Sequence, residues 1–567
     1  MRRPLLWLLA LSVAGMIAAA LWSARARVPE NAVLVLELGG ELDESPPRDL
    51  LGQWQARGPA LPSLLLLLDM AVADERVKGV LVHVRPLSVG YARIQELRDA
   101  LSRVRSAGKP VIALIDATSL NATRELYLAS SADKIFVEPA SLAPLAGISG
   151  QFLHLAGFFE KIGVEWQVSR VGIYKSAVEQ FAAREMSPKA REMTDGLLDG
   201  IFAQIVDGIA AGRGLEPAAV RALIDAAPGT PDELVAAKLA DGIAARQEVL
   251  EKAGLTGANE LESDSYIRVD ATTLGLRSGP TVALVFGEGA IVEERGRGFS
   301  KVFAADETVK ALDAAAEDDA IRAVVLRVNS PGGGAQPSDK VWRALARVRA
   351  KKPVVVSMAD AAASGGYYVA SGANAIVAEP ATLTGSIGVF LLRPSFVGLY
   401  EKLAIDSEVI ERGAYASVTG GDRPFTPEQQ ARTDSFIAAS YRDFVSRVAE
   451  GRGLSTDAVD ALGQGRVWLG SDAFARKLVD EVGGLRTAVE RARREAGIEN
   501  EPDPVRLILP APRSPTEQVR ELIRGDVLRD QLLRALLPAD MPFAFALDWL
   551  PLDGALAYLP PYWIEIH

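Results

Sequence analysis

Short, nearly continuous apolar runs alternate with amphipathic stretches along most of this chain, and the pattern occurs twice. In the first round Gly79–Val82 reads as a buried strand, followed through a loop by an amphipathic helix that ends at Arg105. A Lys109-Pro110 turn leads to a second buried strand, Val111–Ile115, then a short helix and a third strand ending at Glu138-Pro139. The second round keeps the order: Ala323–Leu326, a helix ending at Arg349, Lys352-Pro353, Val354–Met358, and a third strand ending at Glu379-Pro380. Apolar runs of this length separated by helices predict parallel βαβ units whose sheets are covered on both faces. A site is expected where the loops gather, at the carboxyl ends of the strands.

The two rounds are copies. RVRSAGKPVIALIDA from Arg103 returns as RVRAKKPVVVSMADA from Arg347, and Gly212-Arg213-Gly214-Leu215 returns as Gly451-Arg452-Gly453-Leu454. A period of roughly 240 residues means a duplicated domain and not a solenoid. The copies have lost complementary pieces. Pro331-Gly332-Gly333-Gly334 and Ser364-Gly365-Gly366 in the second stand opposite Leu87-Ser88-Val89-Gly90 and Thr123-Arg124-Glu125 in the first, whereas Tyr174-Lys175-Ser176 in the first stands opposite Tyr415-Ala416-Ser417.

The pattern divides the chain into an N-terminal membrane segment (1–27), a first domain (28–255), a polar, glycine-containing linker (256–279), a second domain (280–497) and an extension (498–567). The N-terminal run from Leu5 to Trp22 is uncharged, follows Met1-Arg2-Arg3 and precedes Arg25 and Arg27. Its length suits a bilayer span, and the paired arginines predict a cytoplasmic N-terminus with the rest exported. Ser23-Ala24-Arg25-Ala26 also offers small residues for cleavage, so a retained anchor and a cleaved signal are both open. The extension carries five prolines between Pro502 and Pro515, then an apolar tail through Trp549, Tyr558, Tyr562 and Trp563. It has no partner in the repeat, and it either packs on the body or meets a partner or membrane.

Composition narrows the chemistry. With 24% charged and 49% hydrophobic residues the chain is globular, and a net charge of −11 gives no footprint for nucleic acid. There is no cysteine, which removes thiolate nucleophiles and cysteine-ligated metals. The three histidines, His83, His154 and His567, are not at metal-ligand spacing, so nucleophilic chemistry here is expected to run without histidine.

Ser364 follows a buried strand and precedes a helix, where free N–H groups favour negative charge. The tripeptide alone fits a helix-capping serine as well as a nucleophile. Asn329-Ser330-Pro331-Gly332-Gly333-Gly334 adds a glycine loop able to turn N–H groups toward an oxyanion, and it lacks the Gly-Lys-Ser/Thr ending of a phosphate loop. A lysine serves as base only when burial keeps it neutral. Lys175 is the candidate, and its distinguishing mark is that Ala416 replaces it in the other copy; a surface lysine is the other reading.

Ala363-Ser364-Gly365-Gly366-Tyr367, the Asn329–Gly334 loop, Leu383-Thr384-Gly385-Ser386-Ile387-Gly388 and Tyr174-Lys175-Ser176-Ala177 together resemble the long, tandem-domain form of the bacterial signal peptide peptidase A family. The resemblance runs from the N-terminal segment to about Gly497. It implies an α/β fold of two tandem ClpP/crotonase-like domains, built of repeated ββα units and preceded by an N-terminal transmembrane helix. It implies a serine endopeptidase with Ser364 as nucleophile, Lys175 as general base, Ser386 orienting the lysine, and Gly365, Gly332 and Gly333 at the oxyanion hole, with no cofactor. Members are anchored in the cytoplasmic membrane, face its outer side, assemble as a dome-like tetramer and degrade signal peptides and other hydrophobic peptides. The alternatives are a crotonase-like acyl-CoA enzyme and a non-catalytic membrane scaffold. On this reading the site lies at the seam between the copies. Nζ of Lys175 then sits about 2.6 to 3.2 Å from Oγ of Ser364, within one chain or across a subunit boundary.

Overall fold

The computed structural model describes residues 28–46, 60–295 and 301–510. The Leu5–Trp22 run and the aromatic tail lie outside the described residues. Among the described residues no helix is long and apolar enough to cross a membrane.

The first half builds β1 (Ala32–Gly40), β2 (Val77–Leu87), β3 (Val111–Ile115), β4 (Lys134–Val137), β5 (Glu165–Val171), β6 (Gly242–Ile243) and β7 (Asn259–Glu262). Six of these form one parallel sheet in the order β6-β4-β3-β2-β1-β7. The second half builds β8 (Gly279–Glu288), β9 (Ala290–Val292), β10 (Val302–Ala304), β11 (Ile321–Ser330), β12 (Val354–Ala363), β13 (Ala375–Ala378), β14 (Leu383–Gly385), β15 (Val389–Ser395), β16 (Val467–Leu469), β17 (Glu481–Val482) and β18 (Pro504–Leu509). Its parallel order, β17-β13-β12-β11-β8-β18, repeats the first sheet strand for strand. Here β12 runs on past β13 to pair with β14, which pairs antiparallel with β16.

Two boundaries differ from the sequence reading. The linker contains β7, which pairs with β1, and the extension contains β18, which pairs with β8. These are the same element in the two copies, so the extension does begin with a repeat partner. Both are short edge strands. In Asn259-Glu260-Leu261-Glu262 only Leu261 is buried, and no apolar run marks such a strand.

The helices repeat with the same punctuation. Pro188–Arg213 and Pro427–Arg452 each span 26 residues. Ser187 and Thr426 cap them by accepting the N–H of the third helical residue, with proline at the first position. Gly214 and Gly453 end them at φ 64° and 62°, a backbone that disfavours any other residue.

The halves share one core. Leu34, Val80 and Val82 of the first sheet, Leu67 and Ile94 of the helices over it, and Leu284, Val325 and Val355 on one face of the second sheet form a single buried cluster. The other face of the second sheet packs Val285 and Leu326 against Leu312 and Val341 of the helices Ala305–Glu317 and Ala335–Arg349.

Within this shared layer sits Arg327 on β11, 2% exposed. It donates to Glu44 Oε2 at 2.9 Å and Glu96 Oε2 at 2.7 Å, both from the first half, and to Ser357 Oγ at 2.9 Å. A second tie is the antiparallel ribbon of β5 with β15, in register from Glu165–Ser395 to Val171–Val389. Lys175 follows one strand of this ribbon and Ser386 precedes the other.

Candidate active site

Ser364 stands at the end of β12, before the helix Gly365–Ala370. Its φ of 52° and ψ of −116° form a backbone that a residue with a Cβ rarely adopts. The surroundings hold it there: its N–H donates to the Gly385 carbonyl at 2.8 Å, and its own carbonyl accepts the Tyr368 N–H at 2.8 Å. The turn sets the Ser364 side chain beside the glycine loop.

That loop lies against Ser364 because it has no side chains there. A Cβ on Gly332 would fall 2.8 Å from Ser364 Cβ, and one on Gly333 would fall 2.2 Å from the Ile291 carbonyl oxygen. Ile291 of β9 pins the loop, donating to the Gly332 carbonyl at 2.8 Å and accepting the Gly334 N–H at 2.9 Å. The Gly332 N–H donates to Ser330 Oγ at 3.1 Å, so this glycine supplies close approach where an oxyanion donor was expected. Gly333 and Gly365 are neighbours across the gap, a Cβ on Gly365 lying 3.1 Å from the Gly333 nitrogen.

Lys175 reaches this corner from the first half, and it is 2% exposed. Its Nζ lies 3.0 Å from Ser364 Oγ, 3.0 Å from Ser386 Oγ and 3.1 Å from the Ser386 carbonyl oxygen. A neutral amine has two hydrogens and one lone pair, which matches two acceptors on Ser386 and one hydroxyl donor on Ser364. Burial is the cause that pulls the lysine down from its ordinary 10.5 to about 7. The structure therefore brings the three polar candidates together within one chain.

An open pocket adjoins Ser364 and Lys175, lined by Ala335, Tyr368, Val389, Phe390 and Phe444 among others. This lining suits an apolar side chain. None of these residues stood out in the sequence, since each reads locally as ordinary core. Of the histidines, His83 sits on β2 between Glu37 and Asp116, at 3.0 and 3.2 Å. His154 Nδ1 lies 3.3 Å from the Glu179 carbonyl oxygen. Among the described residues no group of three or more metal-ligating side chains is placed to hold an ion.

Residues 103–258 and residues 346–499 each match the family model described as peptidase family S49. The chain is 34% identical to "Serine protease SPPA, chloroplastic" of Arabidopsis thaliana, over 83% of this chain and 70% of that protein. It is 31% identical to "Protease 4" of Salmonella typhi, over 86% of this chain and 80% of that protein. A "Protease 4" of Haemophilus influenzae is likewise 31% identical, over 82% of this chain and 78% of that protein.

Proposed function

This chain belongs to peptidase family S49 and is a serine protease with tandem family domains, and from that premise we propose that it cleaves peptides with a Ser364–Lys175 dyad. The observation that carries the assignment is the buried lysine amine 3.0 Å from a buried serine hydroxyl.

In the first half-reaction neutral Lys175 accepts the Ser364 proton as Oγ attacks the scissile carbonyl. The oxyanion that forms is held by the N–H groups of Gly365 and Gly333. Lysine, now an ammonium held by Ser386, gives its proton to the departing amine, and the peptide bond breaks to leave an acyl-enzyme. In the second half-reaction Lys175 takes a proton from water, the hydroxide attacks the ester, and Ser364 leaves with the proton restored.

The pocket beside the dyad supports an apolar residue ahead of the cleaved bond, and with it signal peptides and other hydrophobic peptides as substrates. We place the two repeats in the ClpP/crotonase-like class and the chain at the cytoplasmic membrane, its catalytic part outside and its N-terminal segment as anchor. We further propose a homotetramer. Support for these comes from the motif resemblance and the apolar N-terminal run. Membership of a peptidase family supports a peptidase over the acyl-CoA and scaffold alternatives.

A serine-directed acylating reagent tests the dyad. Peptide mapping should find the label on Ser364, and the rate of labelling should rise tenfold per pH unit below about 7 and level off above it. The sign follows from the base: protonated lysine cannot accept the serine proton, so acid removes the reactive form. Label on another serine, or a flat profile from pH 5 to 9, would refute it.

A further inference from the structure

The base and the serine that orients it are held in one frame by a third segment. The loop Gly463–Arg466 runs between them: the Tyr174 N–H donates to the Gln464 carbonyl at 2.8 Å, the Ser386 N–H to the Arg466 carbonyl at 2.7 Å, and the Gly465 N–H to the Ile387 carbonyl at 2.7 Å. The fit is close. A Cβ on Gly465 would lie 2.6 Å from the Lys175 nitrogen, and one on Gly172 would lie 2.6 Å from the Gln464 carbonyl carbon.

From this loop the side chain of Arg466 crosses the seam. Its Nη1 donates to the Tyr174 hydroxyl oxygen and to Glu192 Oε1, each at 3.0 Å. Its guanidinium carbon lies 4.8 Å from the Tyr174 ring centre and 4.6 Å from that of Trp468. Tyr174 donates its own hydroxyl to Glu192 Oε1 at 2.9 Å, and Lys189 holds the other carboxylate oxygen at 2.7 Å. Tyr174 and Glu192 belong to the first half; Arg466 and Trp468 belong to the second.

We infer that Arg466 is a positioning residue of this peptidase, fixing Tyr174, and through the next peptide Lys175, against the loop whose carbonyl holds Ser386. The inference rests on the dyad proposed above. Lys175 and Ser364 come from different halves, so nothing local in the chain sets their separation. A misplacement of about 1 Å costs on the order of 10²-fold in rate. An exposed arginine–glutamate pair by itself is worth little. Arg466 differs in that its main chain engages the orienting serine while its side chain engages the residue next to the base. Arginine suits both demands of the side chain, two in-plane N–H groups on Nη1 for the two oxygens and a flat cation between two rings.

Full-length Arg466→Ala, Arg466→Lys, Tyr174→Phe and the Arg466→Ala/Tyr174→Phe double variant test this on an apolar peptide, with active sites counted by acylation. For Arg466→Ala we expect kcat per titrated site to fall about 10²-fold with KM little changed. The rise of kcat/KM with pH should also move to higher pH, because an amine that gains water recovers its ordinary basicity. The charged groups around the segment are Arg170 and Glu179 beside it, Lys189 and Glu192 on the helix, and Arg466 itself. Lys189 first, then Tyr174, hold the Glu192 carboxyl down at about 2, so the profile reports the lysine. Arg466→Lys should recover part of the rate, and the double variant should be little worse than Arg466→Ala. An Arg466→Ala protein with ordinary kcat per site and an unmoved profile, even one that melts earlier, overturns the inference. If that variant fails to fold, Arg466→Lys and Tyr174→Phe are judged by the same two readouts. Normal turnover in Ser364→Ala or Lys175→Ala would instead refute the dyad, which separates the two failures.

Discussion

Replacing Ser364 with alanine lowers peptide hydrolysis by on the order of 10⁶-fold, and replacing Lys175 with alanine does nearly the same. The two act as one unit, so the double variant is expected to be no worse than either single one. Lys175→Arg should be as inactive as Lys175→Ala, because a guanidinium keeps its proton and cannot serve as base. Ser386→Ala should cost less, about 10 to 100-fold, the worth of one hydrogen bond to an ionisable group, since the Ser386 carbonyl still holds the amine. Lys175→Met should be inactive yet more stable at neutral pH. Burial lowers the lysine to about 7 from 10.5, so between these values the unfolded chain binds more protons than the folded one. The penalty is full below about 7 and fades as pH rises toward 10.5, and methionine removes it. Steady-state rates and urea unfolding at pH 7 check the set. Near-normal turnover by any Ser364 or Lys175 variant would end the assignment, and a Lys175→Met chain less stable than the parent would contradict the burial argument.

Arg327→Met is expected to destabilise the chain by about 3 to 5 kcal/mol. The substitution leaves Glu96, 4% exposed, without its cation inside the shared core, and Glu44, 1% exposed, with Arg93 at 3.5 Å in place of the closer Arg327. Glu379 lies close enough for Glu96 to help push its carboxyl well above the usual range, after burial itself, so the neighbourhood cannot absorb more negative charge. Adding Glu44→Gln and Glu96→Gln should recover most of the loss, since a buried triad is costly mainly when broken. Activity should fall with stability, because Arg327 lies on the strand that delivers Ser330 and the glycine loop. Chemical unfolding of the single and triple variants measures the effect. A single variant as stable as the parent would show that the triad does not hold the halves together.

What was legible in the sequence was what repeats or what depends on a residue type. The central strands are legible as apolar runs, and the ends of the long helices as the repeated Gly-Arg-Gly-Leu; their Ser187 and Thr426 caps are read from the structure. Ser364, Lys175 and Ser386 stand out in the sequence because each departs from its counterpart or matches a motif. The unread parts are set by partners far along the chain. The β5–β15 ribbon pairs Glu165 with Ser395, and neither strand carries a pattern that names the other. Asn259–Glu262 and Pro504–Leu509 are strands because an edge was free to receive them. The wedge at Gly463–Arg466 left one trace, two glycines around Gln464, and glycines alone do not say what presses on them. That the Gly332 N–H goes to Ser330 Oγ is likewise set by the loop's fold, which the glycines alone do not give.

The division of the dyad between the halves also sets when the enzyme becomes dangerous to its surroundings. Lys175 leaves the ribosome 189 residues ahead of Ser364. At about 5 to 20 residues per second the gap is some ~10 to 40 s. During that time the emerged chain holds Lys175 without Ser364, and the first half lacks the second-half residues that complete the shared core. Even after Ser364 emerges, Arg466 and β18 are still to come. With the dyad proposed above, a nascent chain lacks a complete site, and hydrolysis begins only once the Arg466 loop and β18 have been made and the halves have closed on each other.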